Sequence, residues 1–266
     1  MYLCKLQSTA MIDVQDLKFS YSQKHLLDGL SFGLDRGDFC AIVGPNGSGK
    51  TTLLKLMTGL LQPQGGSVQV GGQPLNSLSA MEKARLMAYV AQRQEVVFDF
   101  SVFDTVLMGR NPHQSRWETA SSHDVQVVEE VLQLTGLADY RNRMLTELSG
   151  GEVQRVMIAR AMAQQTPVIL LDEPLSNLDI TYQFEVMDIL QHLNKQNNTT
   201  IVIILHDLSF VKKYAHKVLM LQNGTLKHFG PVDNVLTEPN VREVFHLSSH
   251  YGLDANGHVY RTSPHP

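Results

Sequence analysis

Three short apolar runs narrow the possible folds of this chain more than any other feature. Phe39-Cys40-Ala41-Ile42-Val43 stops at Gly44, Val168-Ile169-Leu170-Leu171 stops at Asp172, and Ile201 to Leu205 stops at His206. Runs of four or five residues rich in Val and Ile, without polar alternation, read as strands buried on both faces. Between them lie patterns with helical spacing, Lys50 to Leu60 and Tyr182 to Gln196. Strand–helix alternation predicts an α/β fold around a mostly parallel sheet. In such sheets ligands bind beyond the carboxyl ends of the strands, so the residues that end these runs stand where chemistry is expected.

The stretch from Arg93 to Gln165 has no run of that kind and carries helical patterns at Ser121 to Thr135 and Val153 to Ala163. It predicts a mainly helical subdomain inserted between core strands. From Pro231 onward, helical pieces such as Val241 to Phe245 lead into a polar tail, with Thr262 to Pro266 expected to be loose. Against about 150 residues per domain, the length corresponds to roughly 1.8 domains. One domain with an insertion accounts for that fraction: 11–230 with core segments 11–92 and 166–230, a helical subdomain 93–165, and an extension 231–266. No internal repeat or low-complexity segment interrupts this order.

Composition removes several function classes. Apolar residues make up 43% and charged residues 18% of the 266, the balance of an ordinary globular protein. The net charge of −4 excludes a sequence-blind nucleic-acid binder that relies on a broad basic surface. Cys4 and Cys40 are too few for a disulfide framework and lack metal-ligand spacing, which points to a reducing compartment. No apolar stretch approaches the ~18 to 20 residues that span a bilayer. Met1 to Ala10 lacks the basic start and apolar stretch of a secretion signal. Work at a membrane is therefore expected from the cytoplasmic side, through a partner. Met11 is an alternative start, because the patterned sequence begins there.

The strongest local signal is Gly44-Pro45-Asn46-Gly47-Ser48-Gly49-Lys50-Thr51, which fits the phosphate-loop pattern. Its glycines let successive backbone N–H groups turn inward toward phosphate oxygens. A helix starting near Lys50 adds its positive dipole end. Lys50 suits the β- and γ-phosphates, and the Thr51 hydroxyl suits Mg²⁺. A second piece is Asp172-Glu173-Pro174 at a strand end, where Asp172 suits the Mg²⁺ shell and Glu173 suits orienting and deprotonating water. A third is Leu148-Ser149-Gly150-Gly151-Glu152 opening a helical pattern, which exposes N–H donors and a hydroxyl to an anion. Taken singly, the last two are more often a solvated turn and a plain helix cap.

Along the chain the phosphate loop, Leu148-Ser149-Gly150-Gly151-Glu152 and Leu170-Leu171-Asp172-Glu173-Pro174, in that order, resemble the nucleotide-binding subunit of an ATP-binding cassette (ABC) transporter, over about Ile12 to Gly230. The resemblance implies a P-loop NTPase, RecA-like core with a mostly parallel sheet, an antiparallel β edge and an inserted helical subdomain. It implies ATP and Mg²⁺ as cofactors, with Gly44 to Thr52, including Thr52 itself, around the phosphates and Tyr21 stacked on adenine. It implies Gln92 contacting Mg²⁺ and water and sensing the permease, Asp179 in the loop after Glu173, and His206 contacting the γ-phosphate. It further implies a head-to-tail homodimer in which Ser149, Gly150 and Gly151 serve the nucleotide of the opposite subunit. Three positions depart from the usual text: Ala91 for proline, Val153 for a polar residue, and Asn177 for Ala or His. None removes a catalytic group.

Ser101 to His113, Leu178 to Gln183, His206-Asp207-Leu208 and Phe229-Gly230-Pro231 with Val235-Leu236-Thr237 resemble importers of the iron-siderophore, haem and cobalamin group. That implies permease subunits, an external substrate-binding protein and a place on the cytoplasmic face of the cell membrane. Val96, Val97, Phe98 and Phe100 are candidates for gripping the permease. Iron-siderophore is the first expectation for cargo, with haem, cobalamin or molybdate behind. The rival class is a soluble cassette protein acting on ribosomes or DNA. Its usual second cassette or long coiled coil has no room here, and the acidic balance speaks against nucleic acid. Ribosome co-sedimentation separates the two.

Overall fold

The structure, a computed structural model, describes residues 10–21, 25–92, 99–114, 119–176 and 178–262. Cys4, Val96, Val97, Phe98, Asn177 and 263–266 lie outside the described residues. Two compact units share the chain: Met1–Leu78 with Val202–Pro266, and Ser79–Ile201.

In chain order the first unit opens with strands β1 (Ile12–Ser20), β2 (His25–Leu34) and β3 (Phe39–Val43), helix α1 (Lys50–Thr58), and strands β4 (Gly65–Val70) and β5 (Gln73–Pro74). The second unit carries α2 (Ala80–Leu86), β6 (Met87–Val90), α3 (Val102–Leu107), α4 (Ser122–Leu134), α5 (Gly150–Ala163), β7 (Val168–Leu171) and α6 (Ile180–Asn197). Within β8 (Thr200–Ile204) the chain returns to the first unit. There follow α7 (Leu208–Tyr214), β9 (Lys217–Gln222), β10 (Thr225–Pro231), α8 (Val232–Val235), α9 (Glu238–Phe245), β11 (Tyr251–Leu253) and β12 (Val259–Arg261).

Two larger sheets and the β11–β12 hairpin contribute to the first unit. β1 pairs antiparallel with both β2 and β4, setting Val14 opposite Phe32 and Val68, and the order is β2-β1-β4-β5. This is the expected antiparallel edge. In the other sheet β10, β9, β3 and β8 follow one another, with β3 parallel to β9 in the register Ile42↔Leu219. All five residues of β3 are fully buried, and so is each of Ile201 to Ile204. Strands covered on both faces need no polar alternation, which is why these runs were legible. Burial drives the Cys40 thiol well above the ordinary thiol range, so it stays a packing group rather than a nucleophile. Phe32 and Phe229, 5.7 Å apart, bring β2 against β10.

In the second unit β6 and β7 pair in parallel, from Met87↔Val168 to Val90↔Leu171. The described residues between 99 and 165 carry helices and turns and no strand, apart from the single bridge Ser101↔Met144. α5 starts at Gly150, three residues before the periodic pattern. Ser149 and Glu152 form a capping box there, supplying the first turn with hydrogen bonds that apolar spacing does not report. α4 begins the same way, with Ser121 and Asp124. After α9, the expected polar tail holds the β11–β12 hairpin, whose short and largely exposed strands leave no apolar pattern to read. No described helix is long and apolar enough to cross a membrane.

One buried ion pair ties the helices of the second unit. Arg110 Nε donates to Asp124 Oδ1 at 2.8 Å, and Nη1 donates to the Ala163 carbonyl and to Gln165 Oε1. Both side chains are under a tenth exposed. The Arg110 hydrogen bond, helped by Ser121, holds the Asp124 carboxyl down to about 2. Asp124→Asn therefore leaves a buried guanidinium uncompensated and is expected to cost about 3–5 kcal/mol in denaturant unfolding. The wild-type stabilisation is complete above about pH 4, where an unfolded Asp is ionised, and disappears as pH falls through about 2. An unfolding profile in which the mutant matches wild type at pH 7 contradicts this.

Candidate functional site

The loop from Gly44 to Gly49 leaves β3 and enters α1. Gly44 sits at φ 152, and a Cβ there would fall 2.1 Å from the Leu221 carbonyl oxygen of β9. Only glycine lets the loop turn that close to the neighbouring strand. Lys50 is buried, and its Nζ donates to the Gly44 and Pro45 carbonyls at 2.9 and 3.0 Å, so its ammonium lies within the curve of the loop. Asn46 and Gly47 are exposed, Thr51 is half-buried and Thr52 is buried. Tyr21 is 62% exposed, with its hydroxyl 3.5 Å from Thr52 Oγ1 and its ring standing edge-on to Phe19. An aromatic face presented to solvent beside the loop can receive a flat base. His206, in the same unit, is exposed just beyond β8.

The second unit holds the carboxylates. Asp172 is 1% exposed; its N–H donates to the Val90 carbonyl and its Oδ2 accepts from the Tyr89 hydroxyl at 3.3 Å. Burial, with the Asp172 charge, pushes the Tyr89 phenol far up, so it remains a donor at any physiological pH. Glu173 is half-buried, and Gln92 Nε2 donates to its Oε2 at 2.5 Å. The two sequence-predicted residues therefore meet across β6 and β7. Glu173 stands at φ 49, a left-handed conformation unusual for a non-glycine residue, and Ser176 donates to its carbonyl through both N–H and Oγ. Asp179 is exposed at the start of α6.

The Ser-Gly-Gly loop faces outward. Ser149 and Gly150 are exposed and Gly151 is half-buried. Ser149 Oγ accepts from the Glu152 N–H, and the Ser149 N–H donates to Glu152 Oε2 at 2.7 Å. The Ser149 hydroxyl bond, first among several, lowers the Glu152 carboxyl below its ordinary range.

Comparison with known proteins identifies the family. The family described as "ABC transporter" matches residues 27–176. An uncharacterised ABC transporter ATP-binding protein of Methanocaldococcus jannaschii is 38% identical, covering 93% of this chain and 94% of that protein. The chain belongs to the ABC transporter ATP-binding family. The iron(3+)-hydroxamate import ATP-binding protein of Bacillus subtilis is 32% identical over 91% of this chain and 90% of its own length. The cobalamin import ATP-binding protein of Halobacterium salinarum is 35% identical over 96% of this chain, which spans only 64% of that longer protein. A structure described as an inward-facing conformation of a metal-chelate type ABC transporter superposes with TM-score 0.80 at 33% identity, covering 96% of this chain and 98% of that one.

As an ABC ATPase, the chain needs room for ATP. Ser48 Oγ is shut off from water and has no hydrogen-bond partner among the described residues, an orphan that a phosphate oxygen satisfies. Among those residues no group of three His, Cys, Asp or Glu stands ready to hold a metal. Mg²⁺ bound with nucleotide needs only one or two protein oxygens plus phosphates, and Thr51 in the first unit and Gln92 and Asp172 in the second each carry an oxygen of the kind it takes. Three supporting residues escaped the sequence reading. Tyr89 braces Asp172, Gln183 donates to the Leu175 and Leu178 carbonyls, and Arg155 lies 4.1 Å over the Tyr182 ring. Tyr89 and Arg155 act across elements far apart in sequence, and Gln183 ties α6 to the loop that leads into it.

Left-handed backbone at Glu173 carries a cost that a side chain with a Cβ cannot avoid. Glu173→Gly is expected to unfold about 1 kcal/mol later than Glu173→Ala in denaturant, while both lose hydrolysis. Equal stabilities remove the assignment of strain.

Proposed function

We propose that this chain is the ATP-hydrolysing subunit of an importer of metal chelates, with iron-siderophore complexes the first candidate and haem, cobalamin or molybdate next. The observation that carries the catalytic reading is the Gln92–Glu173 contact beside buried Asp172. The import-subunit names of the relatives and the metal-chelate transporter neighbour support the cargo class.

In this reading Lys50 and the N–H groups of Gly44 to Thr52 hold the phosphates, Tyr21 covers the adenine, and Asp179 lies at the partner boundary. Glu173, oriented by Gln92, takes a proton from the attacking water. The water oxygen bonds the γ-phosphorus while the bond to the ADP oxygen breaks, and His206 steadies the γ-phosphoryl oxygens. Thr51, Gln92 and Asp172 would hold Mg²⁺, which would supply charge neutralisation at the phosphate oxygens.

Two copies work head to tail, with Ser149, Gly150 and Gly151 of one donating to the nucleotide held by the other. Their outward exposure supports this, as do Ile180 and Phe184, 70% and 40% exposed and four residues apart on α6. ATP then closes the pair, and hydrolysis releases it. The motion reaches transmembrane permease subunits, served by an external substrate-binding protein, from the cytoplasmic face of the membrane. Phe100 and Met144, 41% and 40% exposed beside the Ser101↔Met144 bridge, suit the permease contact.

Glu173→Gln is expected to keep ATP binding, trap the closed dimer on size exclusion, and cut hydrolysis by ~10² or more. Near-normal turnover in the presence of the permease overturns Glu173 as base. The ligand retained by the binding protein of the isolated transporter tests the cargo: an iron-siderophore is expected, and a bound cobalamin or haem displaces it without touching the ATPase assignment.

A further inference from the structure

The C-terminal extension leads back to His206. Gln222, at the end of β9, anchors α9: its Nε2 donates to the Glu243 and Val244 carbonyls at 3.0 and 3.2 Å, and Val241 and Val244 are buried. From α9, Arg242 reaches forward and donates to the Ser248 and Tyr251 carbonyls, both at 2.8 Å, which holds the first strand of the β11–β12 hairpin. Asp254 builds the turn at the other end. Its Oδ1 accepts the N–H groups of Asn256 and His258 at 2.8 Å, and its Oδ2 lies 3.1 Å from His258 Nδ1.

That turn rests on α7. Gly257 stands at φ 88, and a Cβ there would fall 2.5 Å from the Leu208 carbonyl oxygen and 3.1 Å from Lys212 Cβ. Leu208 is the first residue of α7 and follows His206 by two; Asp207 between them caps the helix by accepting from the Ser209 N–H. His206 and Leu208 line one cavity of about 370 Å³ together with Gly257, His258 and Val259 of the hairpin and Phe245 of α9. His206 stands on the backbone segment between β8 and Leu208, and the hairpin turn buttresses the far end of that segment at the Leu208 carbonyl.

We propose that the β11–β12 hairpin is a positioning element for His206, with Gly257 acting through Leu208. The proposal rests on the reading of His206 as the γ-phosphate contact. The atoms nearest a Cβ at Gly257 belong to Leu208 and Lys212, so its substitution is expected to act on turnover and not on ATP capture.

The test uses ATP hydrolysis by the whole chain. Gly257→Val is expected to lower kcat about tenfold or more with KM for ATP changed less than about twofold. His206→Ala alone lowers kcat, and adding Gly257→Val to it produces no further loss, because the two act as one unit. Because bulk at Gly257 threatens folding, a second pair avoids it. Asp254→Ala removes the acceptor of the turn and lowers kcat, whereas Asp254→Asn, which keeps an oxygen for both N–H groups, restores it. The proposal is overturned if Gly257→Val or Asp254→Ala folds with wild-type kcat, or if Gly257→Val costs the same factor in the His206→Ala background. Wild-type kcat in His206→Ala overturns the role of His206 itself, and the proposal with it.

Discussion

Strands β3, β7 and β8 are withdrawn from water on both faces, and the rest of the protein follows from that constraint. A strand sealed on two sides cannot carry a polar side chain without stranding it, so chemistry is confined to what comes immediately after its last residue. Gly44 follows β3 directly, Asp172 follows β7 directly, and His206 comes two residues after Ile204. Asp172 is the exception that tests the rule. It is nearly as buried as the strand itself, and it is accommodated because Tyr89 and the Val90 carbonyl receive its polar groups.

Around these ends the backbone takes conformations that it avoids elsewhere. Gly44 turns against the Leu221 carbonyl, and Glu173 holds a left-handed conformation with Ser176 fastened to its carbonyl. Loops of this kind are useful only on a rigid frame. The frame comes from ordinary means: capping boxes at Ser121 and Ser149, the Arg110–Asp124 pair, and buried aliphatic packing. The Ser149 loop shows how one feature serves two tasks. The serine that starts α5 locally also leaves glycine N–H groups exposed for whatever lies outside the chain.

Much of this was legible before any coordinates. The runs Phe39–Val43 and Val168–Leu171 are strands with those bounds, and the run at Ile201 shifted by a single residue. These are fully buried strands, where composition alone carries the signal. Helix starts were read late, at Val153 for α5 and Tyr182 for α6, because caps and exposed first turns break the apolar period. The β11–β12 hairpin was illegible. Its strands have three residues each and are largely exposed, and its turn is set by Asp254 and by the place against Leu208. Among site residues, those named from motifs were legible because phosphate chemistry requires particular residue types at fixed spacing. Tyr89 and Arg155 were not, because their partners Asp172 and Tyr182 are distant in sequence.

The amino-acid order by itself determined the family and the α/β class, and it supplied the proposal for the phosphate, water and cation ligands. Those depend on local geometry that a few consecutive residues specify: a glycine loop into a helix, an acid at a strand end, a serine at a helix start. Only the tertiary structure decided that Gln92 meets Glu173, that Tyr89 braces Asp172, and that a C-terminal hairpin sits two residues from His206. Such contacts come from packing between segments far apart along the chain, and no short stretch of sequence contains both partners.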